Sequence, residues 1–217
     1  MWQVYINFSL LICINFLFLF QLKRIDQPLK MIGVLCLIIT LFHLWAAYHF
    51  VFTKKNNQFV FHILIPIQYT LLSLYYATQQ GNKQIKNVIL ISIPLFVVTT
   101  SIISLFIQKI NSYNSYSLLI QNFLVTIWSL FYFRSILRSD HFQQIEKKPD
   151  FYISAGIFFF SLSDFFIEGI MNYLIKRNNI FSLKLYYISV MLSFILYISF
   201  IIGFIVKYKI KKTSLYP

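Results

Sequence analysis

Long apolar runs, separated by short polar segments, dominate the chain from end to end. A helix needs about 20 apolar residues to cross the hydrocarbon core of a bilayer. The runs are continuous rather than alternating and are too long for membrane-crossing strands, which argues against a β-barrel. We therefore predict an all-α bundle of seven transmembrane helices, at about 2–22, 30–52, 59–79, 87–108, 116–138, 151–175 and 183–206.

The segments between the runs are short and carry turn-forming and charged residues, as in "LKRIDQPLK" and "QGNKQIKN". We expect residues 1–217 to form a single transmembrane domain. No basic residue precedes the first run and no small-residue cleavage site follows it, so the pattern favours a first membrane helix over a signal peptide. Pro94 and the Ser- and Thr-rich stretch after it predict a kink in the fourth helix.

The distribution of Lys and Arg predicts the orientation in the membrane. Of the 19 Lys and Arg residues, 13 fall in the first, third and fifth breaks and the C-terminal tail. Because basic loops of membrane proteins face the cytoplasm, we expect the N-terminus outside and the C-terminus in the cytoplasm. The same reasoning predicts a multi-pass protein of the inner, cytoplasmic membrane.

Composition and charge narrow the function classes further. Hydrophobic residues make up 59% of the chain and charged residues only 12%, against about 25% charged in soluble domains. The basic residues that give the net charge of +13 lie at the ends of the apolar runs, which predicts contact with a lipid bilayer and no binding of nucleic acid.

The two cysteines, Cys13 and Cys36, fall inside apolar runs and have no metal-site spacing. We expect no cofactor and no bound metal.

The sixth run contains "SLSDFFIEGI", in which Asp164 and Glu168 lie four residues apart and therefore on one face of a helix. Ser154, Ser161 and Asn172 fall near the same line. A carboxylate in the bilayer costs a few kcal/mol or more, so this polar stripe is predicted to face the interior of the bundle.

The polar residues of the other runs gather at similar depths. A rise of about 1.5 Å per residue places some near the middle of the membrane and the rest in its outer half, which predicts an outward-facing polar pocket. The candidate residues for a ligand or proton site are Asp164, Glu168, Gln68, His62, Gln121, Asn122 and His43. Two alternatives stay open, a structural tie between helices and a metal site. The histidines have no paired spacing on one helix, which argues against the metal.

Motifs of the common enzyme classes are absent from the sequence. It contains no GxSxG elbow, no HExxH pair and no EExxxR-type protease pattern. Lys184 and Lys207 lie at the ends of the seventh run rather than at its middle, which argues against a retinal-binding opsin. We therefore predict no catalytic residue and favour a non-enzymatic protein.

Three stretches resemble the third, fifth and sixth spans of small, uncharacterised seven-helix membrane proteins of Bacteroidota. They are "FHILIPIQYTLLSLYY", "SYNSYSLLIQNFLVTIWSLFYF" and "KPDFYISAGIFFFSLSDFF", and the resemblance covers nearly the whole chain. Gln68 replaces an acidic residue of that pattern, and Ser154 and Asp164 replace asparagines. The resemblance implies that an acid has moved from the third helix to the sixth and that Gln68 contacts Asp164. It implies no particular activity.

Several functions are compatible with these observations. The first is a sensing or docking component with an outward-facing polar pocket. The alternatives are a small proton-coupled transporter using Asp164 and Glu168, an accessory or effector of a defence system, and a lipid-directed enzyme in which His62 assists one of the carboxylates. A cytoplasmic or membrane protein partner and oligomerisation are further expectations. The candidate contacts for a cytoplasmic partner or anionic lipid are Arg134, Arg138, Lys147, Lys148, Lys211 and Lys212.

Overall fold

The computed structural model describes residues 2–54, 56–138, 145–177 and 180–213. Seven α-helices, and no strand, occur within these ranges. The helices are α1 (Trp2–Gln21), α2 (Gln27–Thr53), α3 (Gln58–Gln79), α4 (Lys83–Ile102), α5 (Ser115–Leu137), α6 (Pro149–Lys176) and α7 (Phe181–Thr213).

Six of the helices, α2 to α7, are long and apolar enough to cross a membrane, whereas the apolar part of α1, Tyr5–Gln21, is shorter. The protein is therefore an all-helical, multi-pass membrane protein. The bounds predicted from hydropathy agree with the observed helices to within a few residues, except at the end of α7. This helix continues to Thr213, beyond the predicted 206, because Lys and Ile maintain helical structure after the apolar run ends.

Helix ends follow local sequence signals. Pro28 and Pro149 lie in the first turns of α2 and α6, where the missing N–H of proline is not needed for a helical hydrogen bond. The Asn82 side chain accepts hydrogen bonds from the backbone N–H groups of Gln84 at 2.8 Å and Ile85 at 3.4 Å, and so caps α4. These signals fix where the helices begin.

The fourth span departs from regular helical geometry after its proline. Pro94 lies inside α4, and a short π-helical turn follows at Ile103–Ile107. The turn closes where the Gln108 N–H donates to the carbonyl of Ile103 at 2.7 Å. The irregularity therefore falls nine residues beyond Pro94.

The helices pack as a ring around an interior space. Neighbours around the ring are α1, α2, α3, α5, α6 and α7, and α7 returns to pack against α1, while α4 packs on the outside of α3. We name the end that holds the N-terminus and the α2–α3, α4–α5 and α6–α7 connections the cavity end. The opposite end, with the other connections and the last turns of α7, is the lysine end.

Close packing holds neighbouring helices together. Tyr69 stacks on Phe96 with ring centroids 4.0 Å apart, and Phe18 meets Phe204 edge to face at 6.5 Å. At Gly156 an added Cβ would lie 1.7 Å from the Ser199 hydroxyl oxygen, so the absence of a side chain lets α6 and α7 approach closely.

Candidate functional site

A cavity of about 450 Å³ lies inside the ring at the cavity end. Its walls come from α1, α2, α3, α5, α6 and α7, and from the α2–α3 and α4–α5 connections. The apolar part of the wall contains Phe and Leu side chains from several helices. The polar residues of the wall are Asn7, His43, Asn57, Gln58, Gln68, Tyr113, Asn114, Asp164, Glu168, Tyr186, Ser189 and Ser193.

Asp164 is buried, at 4% exposure, and both of its carboxylate oxygens accept hydrogen bonds. The Ser189 hydroxyl of α7 donates to Oδ1 at 2.5 Å, and the Asn122 amide of α5 donates to Oδ2 at 2.8 Å. Asp164 therefore ties α6 to both of its neighbours in the ring, which offsets part of the cost of burying a carboxyl group.

Glu168 lies one turn further along α6 and is only 2% exposed. The Tyr113 hydroxyl donates a hydrogen bond to its Oε1. Its Oε2 is buried and accepts no hydrogen bond from any residue that the structure describes. A buried acceptor without a partner costs about 1–3 kcal/mol, and more when it is charged.

Tyr113 reaches Glu168 from the connection between the fourth and fifth spans. Burial raises the pKa of the Tyr113 hydroxyl, and the neighbouring Glu168 carboxylate raises it further. The hydroxyl therefore keeps its proton and acts as a donor. This connection, outside the membrane-crossing helices, thus holds one oxygen of Glu168 in place.

Two asparagines bring further unsatisfied groups to the cavity. The Asn7 side chain donates to the Ser193 hydroxyl at 2.6 Å, but its Oδ1 has no partner within the described ranges. Asn114 is 2% exposed, and neither its Oδ1 nor its Nδ2 makes a hydrogen bond there.

Four of the residues singled out in the sequence, His43, Gln68, Asp164 and Glu168, line this one cavity. The His43 ring packs edge to face on Phe61 with centroids 5.9 Å apart. The contact that the resemblance implied between Gln68 and Asp164 is not made as a hydrogen bond, because Asn122 and Ser189 occupy the Asp164 oxygens.

The other three candidates lie outside the cavity wall. His62 is a buried connector whose Nε2 donates to the Ser112 carbonyl at 3.0 Å, while Nδ1 accepts from the Ser104 hydroxyl at 2.7 Å. Gln121 is 6% exposed, and its Oε1 is unpartnered among the described residues. Asn122 is connected to the cavity only through its hydrogen bond to Asp164.

The rest of the polar stripe on α6 also faces inward. Ser154 is 0% and Ser161 3% exposed, as the sequence predicts, and the side chain of Asn172 lies outside the described residues. No group of three or more His, Cys, Asp or Glu residues that could hold a metal ion occurs in the described part of the chain.

A second cavity, also of about 450 Å³, lies at the lysine end. Lys147, Lys148 and Lys207 line it together with Asp150, whose Oδ1 accepts a hydrogen bond from the Tyr75 hydroxyl at 3.3 Å. Lys207 also pairs with an aspartate, at the start of α2. Three lysines and one aspartate are therefore the charged residues in the described part of its wall.

The remaining basic candidates lie at the same end of the bundle. Arg134 and Arg138 are exposed at the end of α5, and Lys147 is exposed before α6. Lys211 and Lys212 belong to the last turn of α7, but their side chains lie outside the described ones.

Sequence reasoning missed several residues that complete the cavity. Ser189 and Ser193 share one face of α7 with Tyr197, and this four-residue spacing is a signal that an amphipathic analysis of the seventh run can detect. Tyr113 follows an apolar run, a position that is typical of tyrosines at the membrane interface. Its contact with Glu168 depends on tertiary packing.

Protein-family models, curated proteins and solved structures give no match to this chain. The resemblance to membrane proteins of Bacteroidota therefore stays a prediction, and the function has to be argued from the geometry of the two ends.

Proposed function

We propose that this chain is a non-enzymatic membrane protein that senses a ligand in the cavity and docks a partner at its lysine end. The observation that carries this proposal is the cavity of about 450 Å³, with Asp164 and Glu168 in its wall. Small-molecule sites in proteins have this size and combine apolar walls with a few placed polar groups.

In this proposal the bundle crosses the inner membrane seven times, with the N-terminus and the cavity outside. The distribution of Lys and Arg supports this orientation, because the lysine end then faces the cytoplasm. Arg134, Arg138 and Lys147 are exposed there. They offer a basic surface for an acidic region of a cytoplasmic or membrane partner, or for anionic lipid.

The second candidate function is a small proton-coupled carrier that uses Asp164 and Glu168. The cavity at the lysine end favours the carrier, because α6 lines both cavities and so connects the two ends of the bundle. Between the cavities lie buried hydroxyl pairs, Tyr75 with Ser154 at 3.2 Å and Tyr76 with Ser129 at 2.7 Å. A carrier has to expose its central site to each side in turn, whereas a sensor needs access from one side only.

Access to the cavity therefore separates the two functions. The chain has two cysteines, so Cys13→Ser with Cys36→Ala gives a background without thiols. On this background Gln68→Cys places a thiol in the cavity wall without breaking a hydrogen bond. Asn111→Cys marks the cavity end and Lys83→Cys the lysine end, because both residues are exposed.

Labelling with a membrane-impermeant maleimide, in whole cells and in inverted vesicles, reads out the access. The sensing proposal expects Gln68→Cys to react only from the side on which Asn111→Cys reacts. Reaction from both sides would support the carrier. Reaction from neither side, while both markers react, would contradict an accessible ligand cavity.

A further inference from the structure

The unsatisfied polar groups around the cavity are mostly acceptors. Oε2 of Glu168, Oδ1 of Asn7 and Oδ1 of Asn114 are buried without a partner in the described part of the chain, and Nδ2 of Asn114 is the donor among them. Leaving such groups unpaired is costly. A ligand that brings N–H donors would relieve this cost, and a ligand that brings only acceptors would not.

The charge of the cavity wall favours a cation. The wall contains the carboxyl groups of Asp164 and Glu168, and among the residues that the structure describes no Lys or Arg belongs to it. Of the described residues in the wall, His43 is the one with a basic side chain. A positive ligand group beside Glu168 would pair a buried carboxyl group that has no cationic partner among the described residues.

Aromatic rings supply the rest of the recognition surface. Phe8, Phe61, Phe160, Tyr186 and Tyr197 reach the cavity from four different helices. Aromatic faces attract cations by about 0.5–2 kcal/mol, and their apolar surface accepts a hydrocarbon group. The cavity volume exceeds what a bare ammonium ion would fill, so an apolar group has to accompany the charge.

We propose that the cavity binds a protonated primary or secondary amine that carries an apolar group, with one N–H donating to Oε2 of Glu168. Asp164 has both oxygens engaged by Asn122 and Ser189, so it adds negative charge without forming the direct contact. This inference rests on the proposed function and specifies the ligand class of the same cavity.

The test compares three probes on the full-length protein in nanodiscs. The probes are 2-phenylethylamine, its neutral analogue 2-phenylethanol and its N,N,N-trimethyl derivative, each titrated calorimetrically with empty nanodiscs as the blank. We expect the amine to bind at least ten times more tightly than either analogue. The alcohol lacks the charge, and the trimethyl derivative keeps the charge but lacks the N–H donor.

A matched pair of variants locates the contact. Glu168→Gln removes the free carboxylate oxygen and should weaken binding of the amine at least tenfold. Glu146→Gln makes the same chemical change at an exposed residue of the lysine end and should leave binding unchanged. If Glu168→Gln fails to fold, the comparison of the three probes on the unmodified protein still tests whether the cavity recognises a charged N–H donor.

Each other outcome counts against the proposal. Equal binding of the amine and the alcohol would show an apolar site without charge recognition. Equal binding of the trimethyl derivative would exclude the N–H contact, and displacement of the amine by sodium chloride but not by choline chloride would indicate an inorganic cation site. Absence of amine binding would overturn the ligand class, while one-sided labelling of Gln68→Cys would still support the sensing function.

Discussion

The hydroxyl of Tyr113 holds one oxygen of Glu168 and leaves the other without a hydrogen bond in the described residues. One turn earlier on α6, Asp164 has both oxygens engaged, by Asn122 and Ser189. The two carboxyl groups of the sixth helix therefore have different roles. Asp164 joins neighbouring helices, and Glu168, in the wall of the same cavity, keeps one buried acceptor without a partner among the described residues.

Replacing Asp164 by Asn should destabilise the protein. The amide has one acceptor oxygen in place of two, so either Asn122 or Ser189 loses its acceptor. Hydrogen bonds between membrane helices contribute about 1–2 kcal/mol at most, and we expect a loss of that size in unfolding by SDS. The exchange variant Asp164→Asn with Asn122→Asp restores a donor and an acceptor between α5 and α6 and should recover most of the loss. If Asp164→Asn alone is as stable as the wild type, Asp164 does not stabilise the contacts between α6 and its neighbours.

Replacing Tyr113 by Phe should cost about 1 kcal/mol of stability at neutral pH, the usual contribution of one hydrogen bond. Burial, and then the Glu168 charge, raise the pKa of Tyr113 in the folded protein above the unperturbed value of about 10. A raised folded-state pKa gives stability that is complete below about pH 10 and is lost as the pH rises further. The free-energy difference between wild type and Tyr113→Phe should therefore shrink as the pH rises above about 10. A free-energy difference that grows above about pH 10 would contradict the prediction.

Replacing His62 by Phe should weaken the fold without changing access to the cavity. His62 joins α3 to Ser104 in the π-helical turn and to the Ser112 carbonyl, and loss of both bonds should cost about 1–3 kcal/mol. Because His62 lies outside the cavity wall, Gln68→Cys should still be labelled from one side in this background. Labelling that becomes two-sided or disappears would assign His62 a role in gating the cavity.

Replacing Gly156 by Ala should separate α6 from α7. The new Cβ would meet the Ser199 side chain, with its oxygen 1.7 Å away, and the Leu196 Cα lies 3.6 Å away. Overpacking of this kind typically costs about 1–3 kcal/mol. Gly169→Ala is the matched control on the same helix, because its Cβ would meet a Leu119 methyl at an ordinary 3.6 Å. The control should be neutral or up to about 1 kcal/mol stabilising, through helix propensity. Thermal unfolding in detergent compares the two, and equal melting temperatures would disprove the close helix contact.

Hydropathy and the cost of buried charge were sufficient to predict much of this architecture. Run lengths located the apolar helices, and the four-residue spacing of Asp164 and Glu168 showed that α6 turns one polar face inward. Depth counting predicted a polar pocket with His43, Gln68 and Asp164 among its candidate residues, and the structure places all three around one cavity.

The partners of the two carboxyl groups could not be predicted in this way. They depend on the order of helices around the ring and on the rotation of each helix. The spacing of Ser189 and Ser193 indicates which face of α7 turns inward, but the sequence of a helix does not determine which helices flank it. Ser189 and Asn122 meet Asp164 only because α7 and α5 flank α6. Tyr113 reaches Glu168 through the path of a connection, which local sequence does not determine.

Thermal unfolding of Glu168→Gln in detergent, without added ligand, is the most direct test of the claim that this carboxyl group serves the cavity rather than the fold. The glutamine oxygen can still accept from Tyr113, and a neutral amide N–H2 group, which costs less to bury than a charged oxygen, replaces the unpartnered carboxylate oxygen. We therefore predict a melting temperature equal to or above that of the wild type, while Asp164→Asn melts below it. A melting temperature for Glu168→Gln as low as that of Asp164→Asn would contradict the account and make both residues structural ties.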